Sequence, residues 1–321
     1  MNLFTPKILG AAALAGALSV TATVSWASGY PDRTITIVVP YGAGGTTDIS
    51  ARKLAAMAEP VLGQSIVVEN HPGGSGTNAL RMVAGANPDG YTLIAATSSP
   101  LFVTPAVRDV GYDPVNDFQP ILNYSGPYHG VLVNAKSPYQ SLSDLVEAGK
   151  KNTTISYGTA GAMGGAHLSF VAVEKATGSK LKHVPFKGSA ATTAALLGEH
   201  VDVALVPAYR DLVKDGQLRL LAVLDGTEDP DFSNVPTLME AGYDVEFPSV
   251  VGLLAPKGTD SAIVEKLEAV FTDIASSAAF KEEMNKLSQP VRIMSGEELA
   301  QTISRNLSVY KEVAQGLSGA K

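Results

Sequence analysis

Short apolar runs and amphipathic segments alternate along most of the chain. The apolar runs are rich in β-branched residues and bounded by Gly, Pro, Asn or Asp, a pattern typical of buried strands. They cover residues 34–39, 65–69, 91–97, 130–134, 154–158, 201–206, 218–224 and 250–255. The segments between them carry apolar residues at helical spacing. This alternation predicts an α/β fold in which helices cover parallel strands.

The carboxyl-terminal part of the chain has a different pattern. After Pro256 the spacing of apolar residues predicts helices only, at residues 261–275, 278–287 and 296–315. Earlier in the chain, Ser141 and Asp144 form a capping-box signal that predicts the start of another helix.

The first residues have the composition of an export signal. Lys7 precedes an apolar run over 8–24, and the small residues Ser25 and Ala27 follow. This order predicts a signal peptide over 1–27 that is cleaved after Ala27. An uncleaved membrane anchor is the alternative, but the run is short, rich in Ala and Gly, and lacks a basic stop. We therefore expect an exported protein of the bacterial periplasm.

The composition excludes several kinds of site and partner. The 321 residues include no cysteine, which excludes disulfides, thiolate metal sites and cysteine nucleophiles. The formal charge of −7 becomes −8 when Lys7 leaves with the leader, so nucleic acid and anionic membranes are poor partners. The histidines show no close metal-ligand pairing, and no GxSxG nucleophile motif occurs. We therefore expect no metal, no cofactor and no catalytic residue.

Two glycine-rich turns each connect a predicted strand to a predicted helix. They span residues 41–46 and 158–164. Glycine lets backbone N–H groups approach a ligand, and the first N–H groups of a helix have no intrahelical partner. The helix dipole adds partial positive charge, so two such turns facing each other predict a site for a carboxylate. A third glycine cluster, at 69–82, either adds a rim to this pocket or is an ordinary surface turn.

Neither turn matches a nucleotide-binding motif. The first lacks the third glycine of GxGxxG, and neither is closed by the Gly-Lys-Ser/Thr of a Walker A loop. Each turn alone could be a tight connection between a strand and a helix. The presence of two in one exported chain is what favours a binding site.

The order and spacing of several longer segments match one known family. These segments are YPDRTITIVVPYGAGGTTD (30–48), VVENHPGGSGTNA (67–79), PDGYTLIAATSS (88–99), SYGTAGAMGGAHL (156–168), HVPFKGS (183–189), LLGEHVDVAL (196–205), VPTLMEAGYD (235–244) and GLLAPKGT (252–259). Through them the chain resembles the Bug-type substrate-binding proteins of tripartite tricarboxylate transporters, across essentially its whole mature length.

The resemblance implies a two-lobed periplasmic binding-protein fold, similar to type II. Each lobe would be a mixed, mostly parallel sheet flanked by helices. Lobe 1 would comprise 28–128 plus 249–321, and lobe 2 would comprise 129–248. Two connecting segments, near 126–130 and 246–250, would form the hinge on which the lobes close.

The resemblance also implies where the ligand binds. In this family, main-chain groups of the two glycine-rich loops hold the ligand carboxylate, partly through bridging waters. The contacts implied here are Tyr41, Gly42, Ala43, Gly44, Gly45, Thr46, Thr97, Ser98, Gly158, Thr159, Ala160, Gly161, Met163 and Gly164. Family members commonly have Phe and Pro where this chain has Tyr41 and Ala43, so the ligand class is implied but its identity is left open.

A few further residues are candidates from the sequence alone. Met163 and Tyr209 could form apolar walls of the pocket or belong to the core. Lys187 and Arg210 could meet a distal carboxylate or be solvated surface charges. His129 could line the cleft, and His167 is expected to orient the second loop.

Together these patterns predict a monomeric solute-binding protein that is not an enzyme. It would capture a small organic carboxylate, either a dicarboxylate or an aromatic acid, and deliver it to the membrane components of a tripartite tricarboxylate-type transporter. Two alternatives remain: a ligand-sensing adaptor for a membrane kinase, and a secreted α/β hydrolase, against which the missing nucleophile motif argues.

Overall fold

The computed structural model describes Met1 and residues 29–151, 154–226, 228–244, 247–287 and 289–318. The predicted signal peptide therefore lies outside the described residues, apart from Met1. None of the helices in the described part combines the length and the hydrophobicity that crossing a bilayer requires.

Strands and helices follow the alternation that the sequence predicts. The strands are β1 (Ile35–Val39), β2 (Ile66–Asn70), β3 (Thr92–Thr97), β4 (Phe118–Ser125), β5 (Gly130–Asn134), β6 (Ser156–Thr159), β7 (Lys182–Pro185), β8 (Val203–Val206), β9 (Leu218–Val223), β10 (Val251–Pro256) and β11 (Met294–Ser295). The helices are α1 (Thr46–Leu62), α2 (Thr77–Ala84), α3 (Thr104–Val107), α4 (Leu142–Lys151), α5 (Gly165–Thr177), α6 (Ser189–Leu197), α7 (Arg210–Lys214), α8 (Ser261–Ser276), α9 (Ala278–Lys286) and α10 (Gly296–Ser318).

These strands form two separate sheets. The first has the order β11-β4-β10-β3-β1-β2 and the second the order β7-β6-β8-β5-β9. In the first, β1 pairs in parallel with β2 and β3, whereas β10 runs antiparallel to β3 and β4. In the second, β6 is parallel to β7 and β8, whereas β5 is antiparallel to β8 and β9. The mixed sheets are confirmed, but antiparallel pairs are more frequent than "mostly parallel" implies, because the strands next to each crossing run back along their sheet.

The chain crosses between the two sheets twice, and the crossings run side by side. A Cβ atom on Gly126, in the first crossing, would lie 2.5 Å from the backbone oxygen of Ser249 in the second. Ser98, just after β3, braces the second crossing: its Oγ donates to the Pro248 carbonyl at 2.6 Å and accepts from the Val250 N–H at 2.9 Å. Each sheet therefore belongs to one lobe, joined to the other by two adjacent segments. The predicted residue limits of the lobes stay a prediction.

Apolar side chains from helices pack against the first sheet. Leu54 of α1, Phe271 of α8 and Phe280 of α9 are fully buried in one cluster with Ile35 and Ile37 of β1. Burying a side chain of this kind stabilises the fold by about 1.5–3 kcal/mol. The carboxyl-terminal helices thus return to the first lobe, and the glycine-rich turns are anchored on a rigid base.

Candidate functional site

A cleft lies between the two lobes at the carboxyl ends of β1, β3, β6 and β8. Binding crevices of open α/β sheets are found at this end of the strands. The residues that line the cleft come from the ends of these strands, from the loops and helix starts after them, from the start of α6, and from the two crossings with the first residue of β10: Tyr41, Gly45, Thr46, Thr47, Thr97, Ser98, Ser99, Pro127, His129, Thr159, Ala160, Gly161, Gly164, Gly165, Ala166, His167, Ser189, Leu205, Pro207, Phe247, Ser249, Val250 and Val251. The space that water can occupy inside measures about 70 Å³, room for about two water molecules.

The first glycine-rich loop leads directly into α1. The first backbone bond of this helix runs from the Ile49 N–H to the Gly45 carbonyl, at 2.9 Å. The N–H groups before it therefore have no intrahelical acceptor. The Thr46 N–H meets Ser189 Oγ of the other lobe at a long 3.4 Å. For the Thr47 N–H, in the cleft wall, the described residues offer no hydrogen-bond acceptor.

The second glycine-rich loop leads into α5 in the same way. The first backbone bond runs from the Leu168 N–H to the Gly164 carbonyl, at 2.9 Å. The Gly165 N–H donates to Ser99 Oγ at 3.0 Å. The N–H groups of Ala166 and His167 find no acceptor in the described part of the chain, and both residues line the cleft.

The two helix starts therefore present uncompensated donors to one cavity. Each helix N-terminus also carries roughly half a positive charge from its dipole. No Lys, Arg, Asp or Glu occurs among the described residues that line the cleft. The arrangement is suited to a small anion held by hydrogen bonds and dipoles rather than by an ion pair.

A half-buried tyrosine adds a neutral hydrogen-bonding group to the cleft. The hydroxyl of Tyr41 lies 2.8 Å from Oγ1 of Thr97. Burial raises the pKa of Tyr41 above its usual value, so the hydroxyl keeps its proton at neutral pH. A protonated phenol can donate a hydrogen bond to a carboxylate or accept one from a hydroxyl.

Asp48 fixes the shape of the first loop. Its buried carboxylate accepts hydrogen bonds from the Gly44 N–H at 2.8 Å, Arg52 Nε at 3.0 Å and Asn70 Nδ2 at 2.9 Å. Desolvation favours the neutral acid, but the bonds from Arg52, Gly44 and Asn70 outweigh it and hold the pKa of Asp48 below its usual value. The ionised carboxylate therefore joins the loop to α1 and β2.

Two histidines shape the second loop. Nδ1 of His167 accepts from the Met163 N–H at 2.9 Å, which agrees with the expectation that His167 orients this loop. Its ring stacks on His183 with centroids 3.7 Å apart, and Nε2 of His183 lies 2.8 Å from Thr159 Oγ1. Burial lowers the pKa of both rings, that of His183 to about 4. Both are neutral at pH 7 and act through hydrogen bonds and stacking.

His129 lines the cleft at the first crossing. Its backbone N–H donates to Asp225 Oδ2 at 2.8 Å, and its Nδ1 lies 3.1 Å from the Pro127 carbonyl. Its ring meets Phe247 of the second crossing edge-on, with centroids 5.0 Å apart. Burial lowers the pKa of His129 to about 4, so this ring too is uncharged at pH 7. It therefore joins the two crossings without adding charge to the cleft.

The structure brings most of the predicted site residues to the cleft. Those that line it are Tyr41, Gly45, Thr46, Thr97, Ser98, Thr159, Ala160, Gly161 and Gly164. Those that lie outside its walls are Gly42, Ala43, Gly44, Gly158, Met163 and Tyr209. Whether any of these residues touches a ligand stays a prediction.

The residues outside the cleft walls have other contacts that explain their type. The Gly42 N–H donates to the Lys187 carbonyl of the other lobe at 3.0 Å. Gly158 packs so closely that a Cβ would lie 2.9 Å from both Phe186 and Thr192. Gly158 thus permits close approach of chain segments rather than of a ligand, whereas a Cβ on Gly42 would lie at an ordinary 3.6 Å from the Lys187 carbonyl oxygen.

Tyr209 and Arg210 belong to a buried cluster of the second lobe. The hydroxyl of Tyr209 donates to Asp229 Oδ2 at 2.9 Å. Nη2 of Arg210 lies 3.7 Å from Asp229 Oδ1, and its Nε pairs with Asp231. The charge of Arg210 is thus balanced within its own lobe, away from the cleft.

Sequence reasoning missed several residues of the cleft. Thr47, Ala166 and Ser189 stand at helix starts, which a stricter search for helix N-termini could have found. Ser99 and Phe247 come from other segments of the chain, and no local pattern marks them as neighbours of the second loop.

Comparison with known proteins agrees with this architecture. The family model described as "Tripartite tricarboxylate transporter family receptor" matches residues 50–318. The periplasmic binding protein BugD superimposes with a TM-score of 0.84 at 31% identity, covering 89% of this chain and 98% of that one. MatC from Rhodopseudomonas palustris with bound malate has a TM-score of 0.83 at 28% identity, covering 89% and 100%. An R. palustris protein with adipate has a TM-score of 0.82 at 30% identity, covering 89% and 97%.

The matched region spans most of the chain, and the neighbours share the two-lobed architecture. The resemblance to Bug-type proteins and the periplasmic binding-protein fold are both confirmed. The chain therefore belongs to the receptor family of tripartite tricarboxylate transporters, a family of periplasmic solute-binding proteins.

Proposed function

We propose that this protein captures a compact dicarboxylate in the cleft between its lobes and delivers it to the membrane components of a tripartite tricarboxylate transporter. The observation that carries the proposal is the set of unpaired N–H groups on Thr47, Ala166 and His167, which belong to two helix N-termini and line one cavity. The oxygens of a carboxylate accept several such bonds at once, and the neighbours with named ligands bind dicarboxylates.

Such a site can bind an anion with useful affinity without a cationic side chain. Hydrogen bonds to a charged group contribute about 1.5–3 kcal/mol each, and a partly buried helix terminus up to ~2 kcal/mol. After association and ordering costs, a net free energy of about −8 kcal/mol corresponds to a micromolar Kd. An acidic protein can therefore bind an anion in this cleft.

The size of the cavity favours a short ligand. A volume of about 70 Å³ corresponds to about two waters at the volume each occupies in the liquid, which favours a short dicarboxylate over a long one. The two neighbours with named ligands bind malate and adipate, one shorter and one longer dicarboxylate. Adipate or an aromatic acid would require the lobes to stand further apart. Malate is accordingly the first ligand to test.

The proposed location is the periplasm, reached through cleavage of the leader over 1–27. The family fold and the signal-like composition of the leader support this location. We propose that the exported protein acts as a monomer. Scattering from the purified protein measures its mass, and fractionation of cells measures its compartment.

Transport without catalysis is favoured over a secreted hydrolase. Among the described residues of the cleft, no serine hydroxyl is hydrogen-bonded to a histidine. A serine nucleophile needs such a base within hydrogen-bond reach. A ligand-sensing adaptor for a membrane kinase would use the same fold and cleft with another partner, so a pull-down of membrane components separates it from transport.

A thermal-shift screen tests the proposed ligand class. The panel contains malate, adipate, benzoate and the neutral diamide of malic acid. Ligand at 100 times its Kd stabilises the folded state by about 2.7 kcal/mol, so malate should raise the Tm by several degrees. The diamide has the same shape without the charge and should give no shift. An equal shift with the diamide, or no shift with any carboxylate, would overturn the proposal.

A further inference from the structure

The third glycine cluster contains one residue with an unfavourable backbone conformation. Residues 73–76 all have positive φ, and three of the four are glycine. Ser75 is the exception, with φ of +58°. A side chain in this left-handed region costs free energy that glycine avoids, so the contacts of the Ser75 hydroxyl are of interest.

The hydroxyl of Ser75 reaches the opposite lobe. Its Oγ donates a short hydrogen bond to the backbone carbonyl of Ala162, in the second glycine-rich loop. The two chains are in close contact here, because a Cβ on Gly161 would lie only 2.6 Å from Ser75 Oγ and 3.0 Å from its Cα. Ser75 is 5% exposed, so the bond is shielded from water.

Two further hydroxyl groups of the first lobe hold the same loop. Oγ1 of the fully buried Thr104 donates to the Met163 carbonyl at 3.0 Å. Ser99 Oγ accepts from the Gly165 N–H at 3.0 Å. Met163 is also a non-glycine residue with positive φ, +59°, so both sides of this contact depart from relaxed backbone geometry.

The contact borders two spaces. One is the cleft, of which Gly161 is a wall residue. The other is a groove of about 470 Å³ whose lining includes Ser75, Ala162, Arg108 and Lys187. Gly161 lines both spaces, so the hydrogen bond from Ser75 to Ala162 is made next to the residue that they share.

We propose that Ser75 is a closure latch. Its hydroxyl fastens the second loop to the first lobe when the lobes meet, and it slows the release of the ligand. Dissociation requires this bond to break, whereas association does not, so the latch acts on the dissociation rate more than on the association rate. The inference rests on the proposed binding function and assigns to Ser75 a positioning role within it.

Three variants separate the hydroxyl from the backbone effect. Ser75→Ala removes the hydroxyl and keeps a side chain at positive φ. Ser75→Gly removes the hydroxyl and the strain. Glu199→Gly is the matched control, because Glu199 has φ of +56° in an exposed turn after α6 and has no contact with the latch.

Two measurements are made on each variant of the mature protein. The first is the dissociation rate of malate, measured by dilution and followed by tyrosine fluorescence. The second is the radius of gyration from X-ray scattering, with no added ligand and with saturating malate. Thermal unfolding without ligand reports whether each variant is folded.

If Ser75 is a latch, Ser75→Ala and Ser75→Gly both release malate about three- to tenfold faster, the range expected for the loss of one hydrogen bond. Both also have a larger radius of gyration without added ligand, whereas Glu199→Gly matches the parent protein. Unchanged dissociation and unchanged radii in Ser75→Ala would overturn the latch, as would an effect confined to Ser75→Gly. If malate does not bind the parent protein, the proposed ligand fails, and the scattering of the variants without ligand still decides the latch.

Discussion

The carboxylate of Asp48 accepts a hydrogen bond from the backbone N–H of Gly44 at 2.8 Å. This bond uses a donor that the glycine-rich turn would otherwise offer to a ligand. Among the described residues the Thr47 N–H, within the first turn of α1, has no acceptor. The first loop is thus shaped by its own side chains, and the helix start behind it faces the cleft.

Replacing Asp48 by Ala should loosen this loop and destabilise the fold. The change leaves the Gly44 N–H without its acceptor and removes the carboxylate partner of Arg52, which keeps its bond to Asn70 Oδ1. Because the carboxylate is buried and Arg52 is half exposed, we expect the free energy of unfolding to fall by about 2–3 kcal/mol. This is less than the loss expected when one partner of a fully buried ion pair is removed. Urea unfolding measures it, with the exposed Glu265→Ala as control. A loss no larger than in the control would contradict this role.

A methyl group at Gly161 should prevent tight closure. Gly161 has φ of +120°, and a Cβ there would collide with Ser75. Gly161→Ala should weaken malate binding by more than about tenfold, since a strained backbone and a clash add. Gly178 also has positive φ, +75°, but has open space around its Cβ position.

Gly178→Ala is therefore the control for strain alone. It should lower the free energy of unfolding by about 1–2 kcal/mol and leave affinity unchanged. Calorimetric titration with malate measures both variants. If Gly161→Ala and Gly178→Ala bind malate with equal affinity, the contact between residue 161 and Ser75 does not matter for binding.

Tyr41 and Tyr209 should behave differently when their hydroxyl groups are removed. Tyr41→Phe removes a hydroxyl in the cleft, beside Thr97, and should weaken malate binding about tenfold, as expected when a charge-assisted hydrogen bond is lost. Tyr209→Phe removes the donor to Asp229 inside the second lobe, so it should cost about 1 kcal/mol of stability and no affinity. The reverse outcome would place the ligand against Tyr209.

Stability should fall as the pH is lowered from about 6.5 to about 4. Burial lowers the pKa of His129 and of His183 to about 4, whereas an unfolded histidine titrates near 6.5. Between these values the unfolded chain binds more protons than the folded one, so acid favours unfolding. The stabilisation is fully present above pH ~6.5 and is lost as the pH falls towards 4.

For His129 alone the loss should reach about 2–3 kcal/mol. Urea unfolding at several pH values measures the slope, and His129→Gln should flatten it. His200→Gln, a change at an exposed position, is the control. A parent protein whose stability does not change over this range would contradict the neutral buried state of these rings.

Removal of the leader has a simple optical consequence. Trp26 is the only tryptophan of the chain, and cleavage after Ala27 would remove it. The exported protein should therefore show tyrosine emission without the longer-wavelength emission of tryptophan. Tryptophan fluorescence in protein taken from the periplasm would place the cleavage site elsewhere.

The sequence predicted the strands with strong local patterns but not β4, β7 or the two-residue β11, which lies in the part where only helices were predicted. β4 contains Pro120, and a proline argues against a central strand because it lacks an N–H donor. The structure tolerates it because β11 pairs with β4 only at Leu122 and Asn123. β7 is a short edge strand of polar sequence, KHVP, which gives almost no alternation signal.

The candidate site was predictable in outline but not in detail. Both glycine-rich turns precede helices, as their sequences predict. Which N–H groups remain unpaired depends on Asp48 within the loop and on Ser99 from a different segment. Likewise, nothing local reveals that Ser75 would meet Ala162 in the other lobe. Contacts between residues that are distant in the sequence depend on how the two lobes pack together. Local sequence patterns do not encode that packing.

The cleft walls hold only uncharged groups among the residues that the structure describes. A captured dicarboxylate would therefore keep its full charge, and the loaded protein would be two units more acidic than the empty one. The two forms should separate in native electrophoresis and in ion-exchange chromatography at neutral pH. The electrostatic potential that the protein presents to a membrane partner would therefore differ between the liganded and the ligand-free form, in addition to any difference in shape.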